Sequence, residues 1–241
     1  MYYATVSDIG RVRKLNEDSC FYNNSELFPY GIVADGMGGH AAGEVASSML
    51  VDIIENHLSN KLCKELDYVE AGEEARHAII AANGIIYNYS KDHYKVMGMG
   101  TTVSFAMIYK NKLITAHVGD SRVYLINNTI DQITKDHSYV QELITRGEIT
   151  PEEAKHHPKK NYITRAIGVE DYIKVDISIN DYKGGIVFIC SDGLTNYVDD
   201  SEIFEHIKNS TNLQQTVDEL VKIANERGGK DNISIVAFGE E

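Results

Sequence analysis

The chain has 241 residues, 43% of them hydrophobic and 24% charged, which is enough to bury a large core in an ordinary globular protein. Its 36 acidic against 23 basic residues give a net charge of −13, arguing against nucleic acid or an anionic membrane as the main partner, because binding to phosphate backbones draws on Lys and Arg. Three scattered cysteines (Cys20, Cys63, Cys190) without CxxC spacing read as free thiols, and no apolar segment reaches the length of a membrane span, so a cytoplasmic location is expected.

Strands are expected at 2–6, 19–22 and 30–34, the last ending on Asp35. From Gly43 to about Asn60 the period changes: Val45, Met49, Ile53 and His57 recur every fourth residue beside Leu50, Ile54 and Leu58, the pattern of an amphipathic helix. A second long helix, acidic at its start, is expected over 67–93. "TTVSFAMIY", "KLITAHVGD" and "RVYLINN" are short strands too closely spaced for helical crossovers, hence antiparallel hairpins. "SYVQELITRG" is a short helix closed by Gly147, and "TPEEA" starts another with Thr150 as cap and Pro151 behind it. "KHHPKKNYITRAIG" is polar and basic, a surface flap. Strands return at 173–180 and 186–190, followed by helices at 201–209 and 213–226 and a last strand, "NISIVAF". Helices and hairpins come in blocks, with no linker or repeat, so the expectation is one α+β domain: antiparallel sheets face to face with helices outside.

Four acids fall at the ends of apolar strands: Asp35 after "GIVA", Asp120 after "ITAHVG", Asp192 after "IVFICS", and Asp231 just before "NISIVAF". Any one of them alone reads best as a turn, and Asp35, Asp120 and Asp192 each abut a glycine. Four of them, with the pair Glu17 and Asp18 in "LNEDS", are strand ends that can converge on one pocket. Carboxylates there would repel one another unless protonated or neutralised by a cation. Oxygen donors select hard ions such as Mg²⁺ or Mn²⁺, and no HExxH histidine pair speaks for zinc. A pair of such ions suits hydrolysis of a phosphoester. Arg13, just before the acidic pair, offers a fork for phosphate. No cysteine opens a Cys-x5-Arg loop and no GxxxxGK[ST] occurs, which removes thiol phosphatases and P-loop enzymes.

With "SDIGRVRKLNEDS", "VADGMGGHAAGEVAS", "MGTTVSFAMI", "AHVGDSRVYLI", "KDHSYVQELITRG", "NYITRAIG", "FICSDGLTNYV" and "GGKDNISIVA" in order, the chain resembles the metal-dependent Ser/Thr protein phosphatases of the PPM, or protein phosphatase 2C, type, in the compact bacterial branch. The resemblance implies an α-β-β-α sandwich of two mostly antiparallel sheets flanked by helices. It implies hydrolysis of phosphoserine and phosphothreonine on proteins by a metal-bridging water or hydroxide, with two core Mn²⁺ or Mg²⁺ ions and a third, weaker one. By position, Asp35 bridges the two ions, the Gly36 carbonyl adds to one, and Asp192 and Asp231 complete the other. Asp18 with Glu17 orients bound water, Asp120 holds the third ion, Arg13 clamps phosphate, and Asn232 supports Asp231. The mobile flap spans about 147–168, where His156, His157 and Lys159 touch substrate. Animal relatives carry a histidine directly after the DG; here that place is Met37, and His40 three residues on either protonates the leaving alkoxide or packs the loop. A cognate Ser/Thr kinase and a monomeric state are the family-level expectations for partners. The alternatives are a non-catalytic module on the same scaffold and a different two-metal hydrolase such as a nuclease.

Overall fold

The computed structural model describes residues 2–38 and 42–240. Eleven strands form two antiparallel sheets. In the first, β1 (Tyr2–Asp8), β11 (Ile233–Glu240), β10 (Gly185–Cys190), β7 (Arg122–Ile126) and β8 (Ile130–Gln132) lie side by side in that order. In the second the order is β2 (Asp18–Asn23), β3 (Tyr30–Met37), β5 (Val103–Tyr109), β6 (Lys112–Val118) and β9 (Asp176–Asp181), with the short β4 (Gly100–Thr101) on the end of β3. Helices α1 (Ala42–Lys61) and α2 (Tyr68–Asp92) cover the second sheet; α5 (Asp192–Thr195), α6 (Asp200–Lys208) and α7 (Leu213–Glu226) cover the first. Two short helices, α3 (Tyr139–Thr145) and α4 (Pro151–Lys155), lie in the connection to β9.

The layering follows from period-2 alternation. On β11, Ile235 and Ala237 join the core under α6 and α7, whereas Val236 and Phe238 point the other way, into the layer between the sheets. On β3, Ile32 and Ala34 face the helices and Val33 meets Val123, Val187 and Val236 between the sheets. Three stacked apolar layers result, the sandwich expected from the sequence.

Local signals hold where they rest on capping chemistry. Asp67 caps α2 and shares a capping box with Glu70; Thr150 does the same for α4 with Glu153. On α1 the buried row is Ala46, Leu50, Ile54 and Leu58, while Val45, Met49 and Ile53 are only partly buried, so the apolar stripe is centred one residue further along than the most regular spacing suggests. The strand expected to stop at Asp35 continues to Met37, because Gly36 and Met37 pair with Thr101 and Gly100. The strand expected from 173 begins at Asp176, where pairing with His117 starts. Strands β4 and β8 and the single turn of α5 are too short to carry a period. Among the described residues no helix is long and apolar enough to cross a membrane.

Candidate metal centre

Asp35 does not terminate a strand; it sits directly across the β2–β3 ladder from Asp18. Around that pair, three further segments arrive from the other sheet and its turns. Asp120 lies in the β6–β7 turn and is 7% exposed, with its Oδ1 buried and unpartnered. Asp192 opens α5; its Oδ1 is likewise buried without a partner. Asp231 precedes β11 and accepts from the Asn232 amide at 3.0 Å.

Glycine is required at two of these junctions by close approach. A Cβ on Gly36 would lie 2.2 Å from the Gly43 carbonyl oxygen and 2.4 Å from that of Glu17. A Cβ on Gly193 would lie 1.9 Å from the Asn232 carbonyl oxygen. The first contact draws the Asp35 segment against Glu17 and the head of α1, and the second draws the Asp192 segment against Asp231–Asn232, a different use of glycine from the turn that the sequence suggests. Gly193→Ala is therefore expected to destabilise the fold by at least about 1–3 kcal/mol, the range for overpacking, read as a lower urea midpoint.

Electrostatically the site is overloaded. Burial, then the charges of Asp18, Asp192, Asp120 and Asp231, push the Asp35 carboxyl well above the usual range. Burial raises Asp18 to about 7 against the opposing hydroxyl of Ser191, which donates to its Oδ2 at 2.7 Å. Asp192 rises to about 6 through burial and then the charge of Asp231, and burial with the charge of Asp192 pushes Asp120 well up. Acids in such a setting either hold protons or hold cations. Among the described residues no group of three or more His, Cys, Asp or Glu side chains is gathered closely enough to hold a metal ion. The charges of Asp18, Asp192, Asp120 and Asp231 nonetheless all act on Asp35, and Mg²⁺ or Mn²⁺, which keeps several waters, needs only one or two carboxylates in direct contact. The unpartnered oxygens of Asp120 and Asp192 and the all-oxygen donor set fit such ions.

Glu17 points its Oε1 at the Gly43 amide in the first turn of α1, 3.3 Å away. Arg13 lies on the acids: its Nη2 is 2.9 Å from Asp231 Oδ2, and its Nη1 is 3.7 Å from Glu17. Burial alone would lower its pKa, but Asp231, Glu17 and Asp35 raise it. Asn232, 3% exposed, donates to the carbonyls of Ile9 and Leu15 and accepts from the Glu17 amide at 2.8 Å, so one amide ties the Arg13 loop to the start of β11. His40 lies outside the described residues. Within 147–168, His156 is the exposed cap of α4, His157 accepts from the Lys159 amide at 3.1 Å, and Lys159 sits over the rings of Tyr139 and Tyr162. Lys160, which the sequence did not single out, donates to Asn196 Oδ1 beside Asp192. Ser191, Thr102 and Asn196 also escaped sequence reading. Thr102 takes the Asp35 amide on its Oγ1 at 3.0 Å, and only the unexplained hydroxyls of "GTT" and "CSDG" hinted at such partners.

The profile of the protein phosphatase 2C family matches residues 11–235. The chain belongs to the protein phosphatase 2C family. Among members of protein phosphatase 2C, it is 40% identical to the serine/threonine phosphatase stp of Listeria welshimeri over 237 residues, covering 95% of this chain and 92% of that one. The serine/threonine phosphatase Stp1 from Staphylococcus aureus superposes with a TM-score of 0.93 at 34% identity, covering 99% of this chain and 94% of the other. The catalytic domain of the phosphatase PstP, solved in complex with two manganese ions, superposes at 0.85 with 33% identity, covering 100% and 98%.

Proposed function

We propose that this protein phosphatase 2C chain removes phosphate from phosphoserine and phosphothreonine on proteins, using Mn²⁺ or Mg²⁺. The observation that supports the reading is that Asp18 stands opposite Asp35 across the β2–β3 ladder while the charges of Asp120, Asp192 and Asp231 also act on Asp35. Asp35, the Gly36 carbonyl, Asp192 and Asp231 would hold two ions, and Asp120 a third. Bound there, such ions supply positive charge to the phosphoryl oxygens and make deprotonation of an attacking water easy near neutral pH.

The chain's own groups do the positioning. Asp18, fixed by Ser191, and Glu17, fixed at the head of α1, would accept hydrogen bonds from water and orient it. Arg13 is held ready by Asp231 and Glu17, and its fork would take two phosphate oxygens once those acids are engaged elsewhere. The flap at 147–168 moves, and His156, His157 and Lys159 meet the protein part of the substrate. The enzyme acts as a monomer and opposes a Ser/Thr kinase.

The test is release of phosphate from a phosphothreonine peptide by the purified chain with Mn²⁺ or Mg²⁺; no turnover with either ion refutes the reading. Arg13→Ala is expected to lower kcat/KM on that peptide about 10- to 150-fold, the range for losing a hydrogen bond to a charged group. An unchanged value would remove Arg13 from the phosphate site.

A further inference from the structure

Asn196 follows α5 directly and is exposed, yet its amide makes two charged contacts. Its Nδ2 donates to Asp192 Oδ2 at 3.0 Å, and its Oδ1 accepts from Lys160 Nζ at 2.9 Å. Chemistry fixes that orientation: a carboxylate only accepts and an ammonium only donates, so a turned amide would oppose both partners. The backbone beneath is anchored separately. The Asn196 amide donates to the Asp192 carbonyl at 2.8 Å, and the Tyr197 carbonyl accepts from Arg227 at 2.8 Å, with Arg227 paired to Glu202. Asp192 is thereby left with one oxygen held and the other, Oδ1, buried and unpartnered.

Lys160 comes from a stretch, 155–168, that contains Lys155, Lys159, Lys160 and Arg165 and no Asp or Glu. The other three cations are engaged elsewhere. Lys155 lies 3.3 Å from both Glu152 and Asp199, Lys159 lies over two tyrosine rings, and Arg165 reaches Asp176 at 2.9 Å. Lys160 alone among them connects this stretch to an acid of the metal pocket, through Asn196.

We propose that Asn196 is a positioning residue that sets two things with one amide, the orientation of the Asp192 carboxylate and the docking of the 155–168 stretch through Lys160. The inference rests on the reading of Asp192 as a metal-holding acid. Because the two contacts share an amide, the placement of the flap and the presentation of Asp192 are linked.

Three variants of the full chain separate the halves: Asn196→Ala loses both contacts, Asn196→Asp keeps an acceptor for Lys160 but loses the donor to Asp192, and Lys160→Met loses only the flap contact. Mn²⁺ uptake is followed calorimetrically without substrate, and docking by the rate of chymotryptic cleavage at Tyr162, which is 61% exposed. Asn196→Ala is expected to weaken Mn²⁺ binding about 10- to 100-fold, as for other partners of metal-holding side chains, and to speed cleavage. Lys160→Met is expected to keep Mn²⁺ affinity within about fivefold, to speed cleavage, and to raise KM for a phosphothreonine peptide more than it lowers kcat. Asn196→Asp is expected to be cleaved at the unmodified rate. Unaltered Mn²⁺ affinity in Asn196→Ala, or unaltered cleavage in Lys160→Met, overturns the proposal. An unmodified chain that binds no Mn²⁺ overturns the metal reading and this inference with it.

Discussion

Changing Asp35 to asparagine is expected to reduce phosphate release from a phosphothreonine peptide by more than about 100-fold, the upper figure for disturbing a partner one step removed from a metal, while the metal-free protein becomes more stable. The first half follows from position: Asp35 faces Asp18 across the ladder and feels every other acid of the pocket. The second half follows from the same crowding. The Asp35 carboxylate accepts no hydrogen bond from the described residues, and asparagine of equal size removes a charge that its surroundings oppose. The sign with pH is definite. An acid whose folded pKa is raised contributes stability that is complete below its unfolded value, about 4, and lost as pH rises through the folded value. The metal-free wild type therefore weakens from about pH 4 upward, over a window that includes Asp192 at about 6 and Asp18 at about 7. The gain in melting temperature of Asp35→Asn should be near zero at pH 4 and grow toward pH 7. A gain that shrinks with rising pH would contradict the raised pKa of Asp35; full turnover by the variant would remove Asp35 from the metal site.

Chelation is expected to have the larger effect on catalysis. With EDTA in excess, release should fall to background and return on adding Mn²⁺ or Mg²⁺. The same titration should be visible without substrate. An ion at a hundred times its dissociation constant stabilises the folded chain by about 2.7 kcal/mol per site, roughly 5–10 °C in melting temperature for a chain of this size. Because the ion displaces protons from acids held high in pKa, the shift should increase with pH. Persistent turnover in EDTA, or a melting temperature indifferent to Mn²⁺, would rule out dependence on divalent ions.

The acids of the pocket were legible in the sequence because their chemistry is local: a carboxylate beside an apolar run remains a carboxylate wherever the run goes. Their pairing was not. Nothing in "LNEDS" or "IVADG" states that Asp18 stands opposite Asp35, since register depends on contacts between segments, and the same ignorance put the end of β3 two residues early. The helix cap at Thr150 was readable because cap and capped amide lie within three residues. Asn196 and Lys160 are 36 residues apart, and neither is unusual in its own neighbourhood, so only their meeting gives them meaning. Ser191 was hidden for the same reason, 173 residues from the carboxylate it donates to.

The placement of β11 couples the sheet to the acids. This strand lies between β1 and β10 and pairs with both, bringing Asp231 and Asn232 to the loop that carries Arg13. Displacing β11 would open a gap between β1 and β10 and withdraw Asp231 and Asn232 from the Arg13 loop in one movement. Closure of that sheet and assembly of the acids are thus a single event.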